Sequence, residues 1–258
     1  MKTNPSWTVR DTAFSKDGRR IFARLYVPEG KGPFPTVILA HGFGMELSEC
    51  EPCAMAFAGN GIAACCFDFI GGGKDSRSGG RTEEMSVLTE AADMNAVLDG
   101  IRELPETDSG NIFLMGLSQG AFVATYTAAD RPEDVRGLIA VYPAYVLQDD
   151  ARKRTPDPDA IPETIEVMGV RIGRIYSLDA MSFDIYEKMP AFERNVLIIH
   201  GTADPIAPIS YSERAVQVFP HAELLRVEGA GHAMREIGEE KAAACAVRFV
   251  QENSGMRE

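Results

Sequence analysis

One serine stands between two apolar runs in residues 114–124, "LMGLSQGAFVA". Ser118 has a glycine two residues away on either side, so Gly116 to Gly120 satisfy the pattern G-x-S-x-G. In that pattern the serine lies in a sharp turn between a strand and a helix, and its hydroxyl points out of the sheet. The positive end of the helix favours negative charge that develops there. The flanking apolar runs predict this strand and helix, so we interpret Ser118 as a nucleophile rather than as a helix cap.

A serine hydroxyl needs a base that takes its proton, and the chain has four histidines. His232 lies in "EGAGHAMRE", a glycine-containing loop after the last predicted strand, where a base can reach across the strand ends. His41 and His200 end two earlier predicted strands, and His41 is expected to support its own loop. His221 precedes the last strand, which predicts a surface position at the opposite edge. We therefore predict that His232 is the base.

An acid is needed to orient the base, and Asp204 in "HGTADPIAP" directly follows a predicted strand. The order Ser, Asp, His along the chain is the order used by enzymes with a G-x-S-x-G serine. Asp149 and Asp150, one strand earlier, are rival acids, and a turn aspartate before Pro205 is the purely structural alternative. We prefer Asp204 because of its place directly at the strand end.

Residues 41–44, "HGFG", follow a predicted strand at the same edge of the sheet. Their glycines allow the backbone N–H of Phe43 to point at a bound carbonyl oxygen. The N–H of Gln119, the residue after the nucleophile, is the expected second donor. Phe43 and Gln119 are therefore the predicted oxyanion hole.

Apolar runs and helical patterns alternate along most of the chain. The segments "WTVRDTAF" and "RIFARLYVP" predict an N-terminal antiparallel hairpin. Short continuous apolar runs, typical of strands buried on both faces, follow at residues 35–41, 61–69, 111–116, 137–143, 195–201 and 222–229. Helical spacing is found at residues 82–104, 119–130, 209–218 and 232–251. This alternation predicts an α/β fold with a mostly parallel, doubly wound sheet.

Residues 146–190 interrupt the alternation with a stretch that is too long and irregular for a simple crossover. Loops of this length in compact domains are usually functional or disordered. We expect residues 1–258 to form one domain, with residues 146–190 inserted as a cap over the sheet.

The chain has 26 basic and 38 acidic residues, a formal net charge of −12, which disfavours nucleic acid and anionic lipid as partners. No apolar run approaches the ~20 residues of a membrane helix, and no secretion signal precedes the first strand, so we expect a cytoplasmic protein. All five cysteines are interpreted as reduced thiols that serve as small apolar residues of the core. No metal site and no cofactor are predicted. The oligomeric state is left open, with a homodimer as one option.

The combination of "HGFG", "GLSQG", "HGTAD" and "GAGH" resembles the α/β-hydrolase superfamily over nearly the whole chain. Within it, "TEAADMNAVLDGI", "GLSQGAFVA", "YPAYVLQDDA" and "EGAGH" are most similar to bacterial cinnamoyl and feruloyl esterases. The resemblance implies an α/β-hydrolase fold and a cap that binds a phenolic acyl group. It also implies that Asp150 and Tyr176 bind substrate. Leu117 and Ala121 depart from the residues common in these esterases.

The sequence therefore predicts a serine carboxylic-ester hydrolase that acts through an acyl-enzyme on small-molecule esters, with feruloyl-type esters as the expected substrates. A general short-chain acyl esterase, a thioesterase and a small serine peptidase are alternatives on the same fold. A ligand-binding protein that has lost the chemistry is a further alternative, disfavoured because no predicted catalytic residue is missing.

Overall fold

The computed structural model describes residues 6–234 and 239–255, with the backbone alone at Glu239. The strands are β1 (Trp7–Lys16), β2 (Arg19–Pro28), β3 (Phe34–Ala40), β4 (Ala63–Phe67), β5 (Thr107–Leu117), β6 (Gly137–Val141), β7 (Thr164–Val167), β8 (Val170–Gly173), β9 (Val196–Gly201) and β10 (Ala222–Val227). The helices are α1 (Glu51–Ala58), α2 (Val87–Arg102), α3 (Gln119–Asp130), α4 (Leu147–Arg154), α5 (Arg174–Met181), α6 (Ile185–Lys188), α7 (Ser210–Val218) and α8 (Glu239–Ser254).

Eight of these strands form one sheet in the order β1-β2-β4-β3-β5-β6-β9-β10. β2 is antiparallel to both β1 and β4, whereas the remaining neighbours are parallel. The predicted N-terminal hairpin and mostly parallel sheet are thus confirmed. The chain winds outward from β3 to β4 and then crosses back to β5. In such sheets a crevice opens outside the carboxyl ends of the two strands where the winding reverses, here β3 and β5.

Both faces of the sheet are covered, which explains the continuous apolar runs. Along β5, Ile112 and Leu114 pack with α2 and α3, whereas Phe113 and Met115 pack with α1 and α8 on the other face. Side chains alternate between the faces of a strand, so each run supplies two separate cores.

The helices begin where the sequence offers a cap or a turn. The predicted helix at residues 82–104 begins at Val87, because Ser86 accepts a hydrogen bond from the N–H of Thr89 and forms a capping box with it. Residues 82–84 form a separate short 3₁₀ turn. Helix α1 was not predicted, since its eight residues show no clear apolar stripe. Residues 235–238 of the predicted helix at 232–251 lie outside the described residues.

Between β6 and β9 the chain forms α4, the two-stranded β7–β8 sheet, α5 and α6. α5 packs against α4 and α2, and α6 packs against α3. This segment, which we call the inserted segment (residues 147–191), lies on the face of the sheet that carries α2 and α3.

All five cysteines are free thiols. Cys50, Cys65 and Cys66 are buried as predicted, whereas Cys53 and Cys245 are only half-buried. Among the described residues, no helix is long and apolar enough to cross a membrane.

Candidate active site

The turn between β5 and α3 holds Ser118 in a conformation that residues other than glycine rarely adopt. Ser118 has φ +52° and ψ −115°, while its backbone N–H donates to the carbonyl oxygen of Val141, 3.0 Å away. Such strain persists only where the surrounding structure fixes it. Here the strand before and the helix after leave the serine at the tip of the turn, half-buried.

The two glycines of the G-x-S-x-G pattern are required by close backbone contacts. A Cβ atom at Gly116 would lie 2.2 Å from the carbonyl oxygen of Gly120. A Cβ atom at Gly120 would lie 2.4 Å from the carbonyl oxygens of both Ala40 and His41, at the end of β3. The small residues therefore bring the serine turn against the loop that follows β3.

Ser118, His232 and Asp204 form one hydrogen-bonded chain across the strand ends. The Oγ atom of Ser118 lies 3.0 Å from Nε2 of His232, and Nδ1 of His232 lies 2.7 Å from Oδ2 of Asp204. A carboxylate only accepts hydrogen bonds, so Nδ1 carries the proton and Nε2 is left to accept from the serine hydroxyl. The ring of Tyr142 packs edge-on against the imidazole of His232, with 4.8 Å between ring centroids.

The carboxylate of Asp204 is buried and fully engaged. Its Oδ1 atom accepts from the N–H groups of Ile206 and Ala207 at 2.8 and 2.9 Å. Its Oδ2 atom also accepts from Nε2 of the buried His200, 3.1 Å away. Burial alone would raise the pKa of Asp204, but the hydrogen bonds from His200, His232 and the backbone lower it below its ordinary value. Asp204 is therefore ionised and can stabilise a protonated His232.

His200 contacts the same carboxylate, a contact that the sequence alone does not reveal. Its Nε2 atom faces two acceptors, Asp204 and the carbonyl oxygen of Ala207 at 2.8 Å, so that nitrogen carries the proton. Its Nδ1 atom accepts from the hydroxyl of Ser212 at 2.7 Å. The signal in the sequence is a histidine next to the last residue of β9 and four residues before Asp204.

The loop after β3 lies against Ser118. A Cβ atom at Gly42 would be 3.4 Å from Cβ of Ser118, and the N–H of Gly42 donates to the carboxylate of Glu49 at 2.7 Å. In the described part of the chain, the N–H of Phe43 makes no hydrogen bond, and that of Gln119 is at the first turn of α3, where helical N–H groups lack partners. Both predicted oxyanion donors therefore border Ser118 with their N–H groups available.

His41 supports this loop, as the sequence suggested. It is buried, its Nδ1 atom donates to the carbonyl oxygen of Gly42 at 2.9 Å, and its Nε2 atom accepts from the N–H of Phe69 at 3.3 Å. Burial lowers the pKa of His41, which keeps the ring neutral. His221 is exposed at the other end of the sheet.

On the other side of Ser118, a second hydrogen-bonded chain runs through side chains that are almost completely buried. The Nε2 atom of Gln119 donates to Oε2 of Glu90 at 2.8 Å, and the hydroxyl of Tyr176 donates to Oε1 of Gln119 at 2.6 Å. Burial raises the pKa of Glu90 to about 8, and the neighbouring Asp93 carboxylate adds to the rise, whereas the hydrogen bond from Gln119 opposes it. Glu90 lies on the apolar stripe of α2, three residues after Val87 and four before Met94, which is the only signal that the sequence gives for its burial.

A pocket above Ser118 brings together the two predicted substrate-binding residues and both oxyanion residues. Asp150 and Tyr176, from α4 and α5, line it together with Phe43, Ser118 and Gln119. The remaining lining is mostly apolar, with one cation: Ala144, Val146, Leu147, Arg154, Val167, Met168 and Ile206. The rings of Phe43 and Tyr176 meet edge to face at 5.5 Å. The inserted segment thus forms the wall opposite Ser118.

The rival acid Asp149 lies apart from His232. It accepts a hydrogen bond from the hydroxyl of Tyr211 at 2.8 Å and pairs with Arg152 on the same helix. Among the described residues, no group of three or more histidine, cysteine and acidic side chains is placed to hold a metal ion.

A family model described as serine aminopeptidase, S33, matches residues 31–165, just over half of the chain. The chain belongs to this hydrolase family. A second family model, described as TAP-like protein, matches residues 182–252. Together with the sheet order and the serine turn, these matches assign the α/β-hydrolase fold to the chain.

Relatives of this family include proteins with and without an assigned activity. The chain is 27% identical to human monoglyceride lipase over 128 residues, which cover 49% of the chain but only 40% of the lipase. It is 26% identical to an uncharacterised protein of Mycobacterium tuberculosis, across 91% of the chain and 75% of that protein.

Among solved structures, the fold is similar to Est1E from Butyrivibrio proteoclasticus with bound ferulic acid. The TM-score is 0.86 at 22% sequence identity, over 95% of this chain and 99% of Est1E. A monoacylglycerol lipase from Paleococcus ferrophilus matches with a TM-score of 0.65 at 21% identity, over 96% of this chain and 99% of the lipase. These likenesses establish a shared fold.

Proposed function

We propose that the protein is a serine carboxylic-ester hydrolase that works through an acyl-enzyme. The observation that carries this proposal is the continuous hydrogen-bonded chain from Ser118 through His232 to Asp204, which opens into the pocket under the inserted segment. A lipase and an esterase that are similar in sequence, and a lipase of the same fold, support the reaction class.

In the proposed first step, Oγ of Ser118 attacks the ester carbonyl carbon while Nε2 of His232 takes the hydroxyl proton. The charge that forms on His232 is balanced by the ionised Asp204. The carbonyl oxygen becomes an oxyanion, for which the N–H groups of Phe43 and Gln119 are the donors. His232 then protonates the leaving alcohol, and the acyl group remains on Ser118.

Water completes the cycle by the same route. His232 takes a proton from the water that attacks the acyl-enzyme, and the tetrahedral species collapses to release the acid. The proton on His232 returns to Oγ of Ser118. This sequence requires the tautomer that the contact with Asp204 imposes, with the proton on Nδ1 in the resting state.

For the acyl group we propose a hydroxycinnamoyl ring, held in the pocket that Asp150 and Tyr176 line. The aromatic pair Phe43–Tyr176 and the apolar lining fit a flat ring, and the polar side chains of the inserted segment fit its hydroxyl. The likeness to Est1E with bound ferulic acid supports the same class. In this proposal the inserted segment is the cap that covers the acyl group.

A small serine peptidase is the second candidate, because the matching family model is named for an aminopeptidase. An amide substrate would use the same Ser118 chain and differ only in its leaving group. Asp150, half-buried at the pocket, is the carboxylate that would meet a free amino terminus.

The test compares the wild type with Ser118→Ala on para-nitrophenyl acetate and butyrate, methyl ferulate, a benzoyl thioester and alanine para-nitroanilide. We expect wild type to hydrolyse methyl ferulate with the highest kcat/KM and Ser118→Ala to lose ~10³-fold or more on every ester. Preference for the short esters would keep the mechanism and overturn the acyl group. Preference for the anilide would favour the peptidase, and full activity in Ser118→Ala would reject the serine mechanism.

A further inference from the structure

The chain Glu90–Gln119–Tyr176 joins three elements that meet behind the nucleophile. Glu90 is on α2, Gln119 is the first residue of α3, and Tyr176 is on α5 of the inserted segment. The three residues are 1%, 2% and 5% exposed. One end of this chain is therefore in the core, and the other borders the pocket that contains Ser118.

A carboxyl group at Glu90 needs an explanation, because burial of such a group without a cation is costly. Among the described residues, no lysine or arginine forms an ion pair with Glu90, and its carboxyl group accepts a hydrogen bond from the side-chain amide of Gln119. The neighbouring acid Asp93, in contrast, pairs with Lys16 and accepts from the N–H of Ile70. Asp93 thus holds the β1 and β4 ends to α2, whereas Glu90 contacts a residue of the candidate site.

The contact with Glu90 fixes the orientation of the side-chain amide of Gln119. Since a carboxyl oxygen at Glu90 accepts, the amide nitrogen of Gln119 turns toward it, and the amide oxygen turns toward Tyr176. Tyr176 must then donate its hydroxyl proton to Gln119. Burial raises the pKa of Tyr176, so the hydroxyl keeps that proton.

A phenol that donates its only proton can still accept hydrogen bonds through its oxygen. A ligand group opposite Tyr176 must therefore be a donor, such as a ring hydroxyl, and an ether oxygen at the same place would leave two acceptors facing each other. A buried polar group left without a partner is the strongest discriminator that a pocket can use.

We propose that Glu90 is a positioning residue that acts through Gln119 to hold the hydroxyl of Tyr176 as an acceptor, so that the pocket selects acyl groups with a hydrogen-bond donor. This inference rests on the proposed ester hydrolysis and adds a specificity device to it. Glu90 itself touches neither the substrate nor the reacting atoms.

The test uses two esters that differ at one group, methyl para-hydroxycinnamate and methyl para-methoxycinnamate, together with para-nitrophenyl acetate, which lacks the ring. The measured quantity is the ratio of kcat/KM for the hydroxy and methoxy esters, which a loss of stability alone does not change. The variants are Glu90→Gln, Glu90→Leu, Gln119→Leu and the double variant Glu90→Leu/Gln119→Leu. Thr125→Val is the matched control, because Thr125 is a buried residue of α3 whose hydroxyl bonds Tyr145 at 2.8 Å, away from the pocket.

Glu90→Gln is expected to keep the wild-type ratio within about twofold, because its amide oxygen accepts the same hydrogen bond. Glu90→Leu is expected to lower the ratio about tenfold while the rate on para-nitrophenyl acetate falls less than about threefold. The double variant should lose no more than either single variant, because both remove the same chain of contacts. Thr125→Val should keep the ratio, whatever its melting temperature.

A wild-type ratio in folded Glu90→Leu would overturn the proposal, as would an equal loss in Glu90→Gln and Glu90→Leu. If Glu90→Leu does not fold, Gln119→Leu decides by the same ratio. If wild type cleaves para-nitrophenyl acetate but neither cinnamate, the proposed acyl class is wrong. The proposed role of Glu90 is then also rejected. If wild type prefers the hydroxy ester and every variant does too, only the role of Glu90 is wrong.

Discussion

Two hydrogen-bonded chains approach Ser118 from opposite sides, and they are built differently. The His232–Asp204 chain lies on loops after β9 and β10, is partly open to solvent at His232, and contains an ionised carboxylate. The Glu90–Gln119–Tyr176 chain lies on helices, is almost completely buried, and contains a carboxyl group whose pKa is raised to about 8. A chain that moves protons needs charge and access to water, whereas a chain that fixes positions needs neither.

The carboxyl groups of the two chains show how the same functional group can take opposite charge states. Asp204 accepts from four donors, which hold its pKa low despite burial. Glu90 accepts from one amide, and burial dominates. The number of donors aimed at each oxygen therefore decides which carboxyl is charged at neutral pH.

Asp204→Asn tests the hydrogen-bonded chain Ser118–His232–Asp204, which we call the charged chain, and should give the largest effect. We expect kcat on a short para-nitrophenyl ester to fall by ~10⁴-fold, because an amide neither fixes the tautomer of His232 nor balances its positive charge. The matched control is Asp149→Asn, at the rival acid, which should keep kcat within about twofold. A loss of less than about tenfold in Asp204→Asn would remove the aspartate from the proposed mechanism.

Glu90→Gln tests the hydrogen-bonded chain Glu90–Gln119–Tyr176, which we call the neutral chain, through the pH dependence of stability. A folded carboxyl with a pKa of about 8, against an ordinary value of 4.5, binds more protons than the unfolded one between these values. The free energy of unfolding of the wild type should therefore fall as pH rises through that range. Glu90→Gln lacks this loss. The difference between its free energy of unfolding and that of the wild type should therefore rise by about 3 kcal/mol in favour of the variant between about pH 5 and pH 8, as measured by urea unfolding.

The charged groups that face Glu90 stay the same in this variant. Asp93 on α2, Lys16 of β1 beside Asp93, and Tyr176 on α5 are all retained. Glu213→Gln, at an exposed carboxylate of α7, is the control and should show no such gain. Parallel stability curves for Glu90→Gln and wild type would show that Glu90 is ionised in the fold.

Gly120→Ala tests the turn where both chains meet. The added methyl group would press on the carbonyl oxygens of Ala40 and His41, so we expect a loss of about 1–3 kcal/mol in the free energy of unfolding. Because that pressure displaces the Phe43 loop, kcat should also fall about tenfold. At Gly110 an added Cβ atom would lie 3.5 Å from Oδ1 of Asp108, an ordinary van der Waals contact, so Gly110→Ala should change neither quantity. Equal effects in the two variants would contradict the close contact at Gly120.

Tyr176→Phe should give the smallest change, confined to one substrate class. Removal of the hydroxyl that contacts Gln119 should lower kcat/KM for methyl para-hydroxycinnamate about tenfold and leave para-nitrophenyl acetate within about twofold. Tyr145→Phe removes another buried hydroxyl, bonded to Thr125, and should affect stability alone. Equal losses on both esters in Tyr176→Phe would show a general disturbance of the site instead of a role in acyl binding.

The charged chain could be proposed from the sequence because its signals are local. Ser118 is marked by glycines two residues away, and Asp204 and His232 follow apolar runs in turn-rich segments. The positions of strands β3 and β4 within the sheet have no such local signal, because they depend on which strands pair in the folded structure. The sequence predicted the parallel strands and the hairpin for the same reason: each run carries its own periodicity.

The contacts of the neutral chain could not be predicted from the sequence. Glu90 and Gln119 are 29 positions apart, and Gln119 and Tyr176 are 57 apart, with no spacing that links them. The position of Glu90 on the apolar stripe of α2 indicates burial but not the residue that it contacts. For His200, the sequence predicted the position near a strand end. Its contact with Asp204 could be found only from the folded structure.

The inserted segment leaves the sheet after β6 and returns at β9, and these two strands pair directly, from Leu138 with Val196 to Val141 with Ile199. The sheet is thus continuous across the gap that the segment spans. Ser118 precedes the gap, and Asp204 and His232 follow it. Residues 147–191 therefore leave and re-enter the sheet at one point, and they supply much of the pocket wall without separating the strands that carry Ser118, Asp204 and His232.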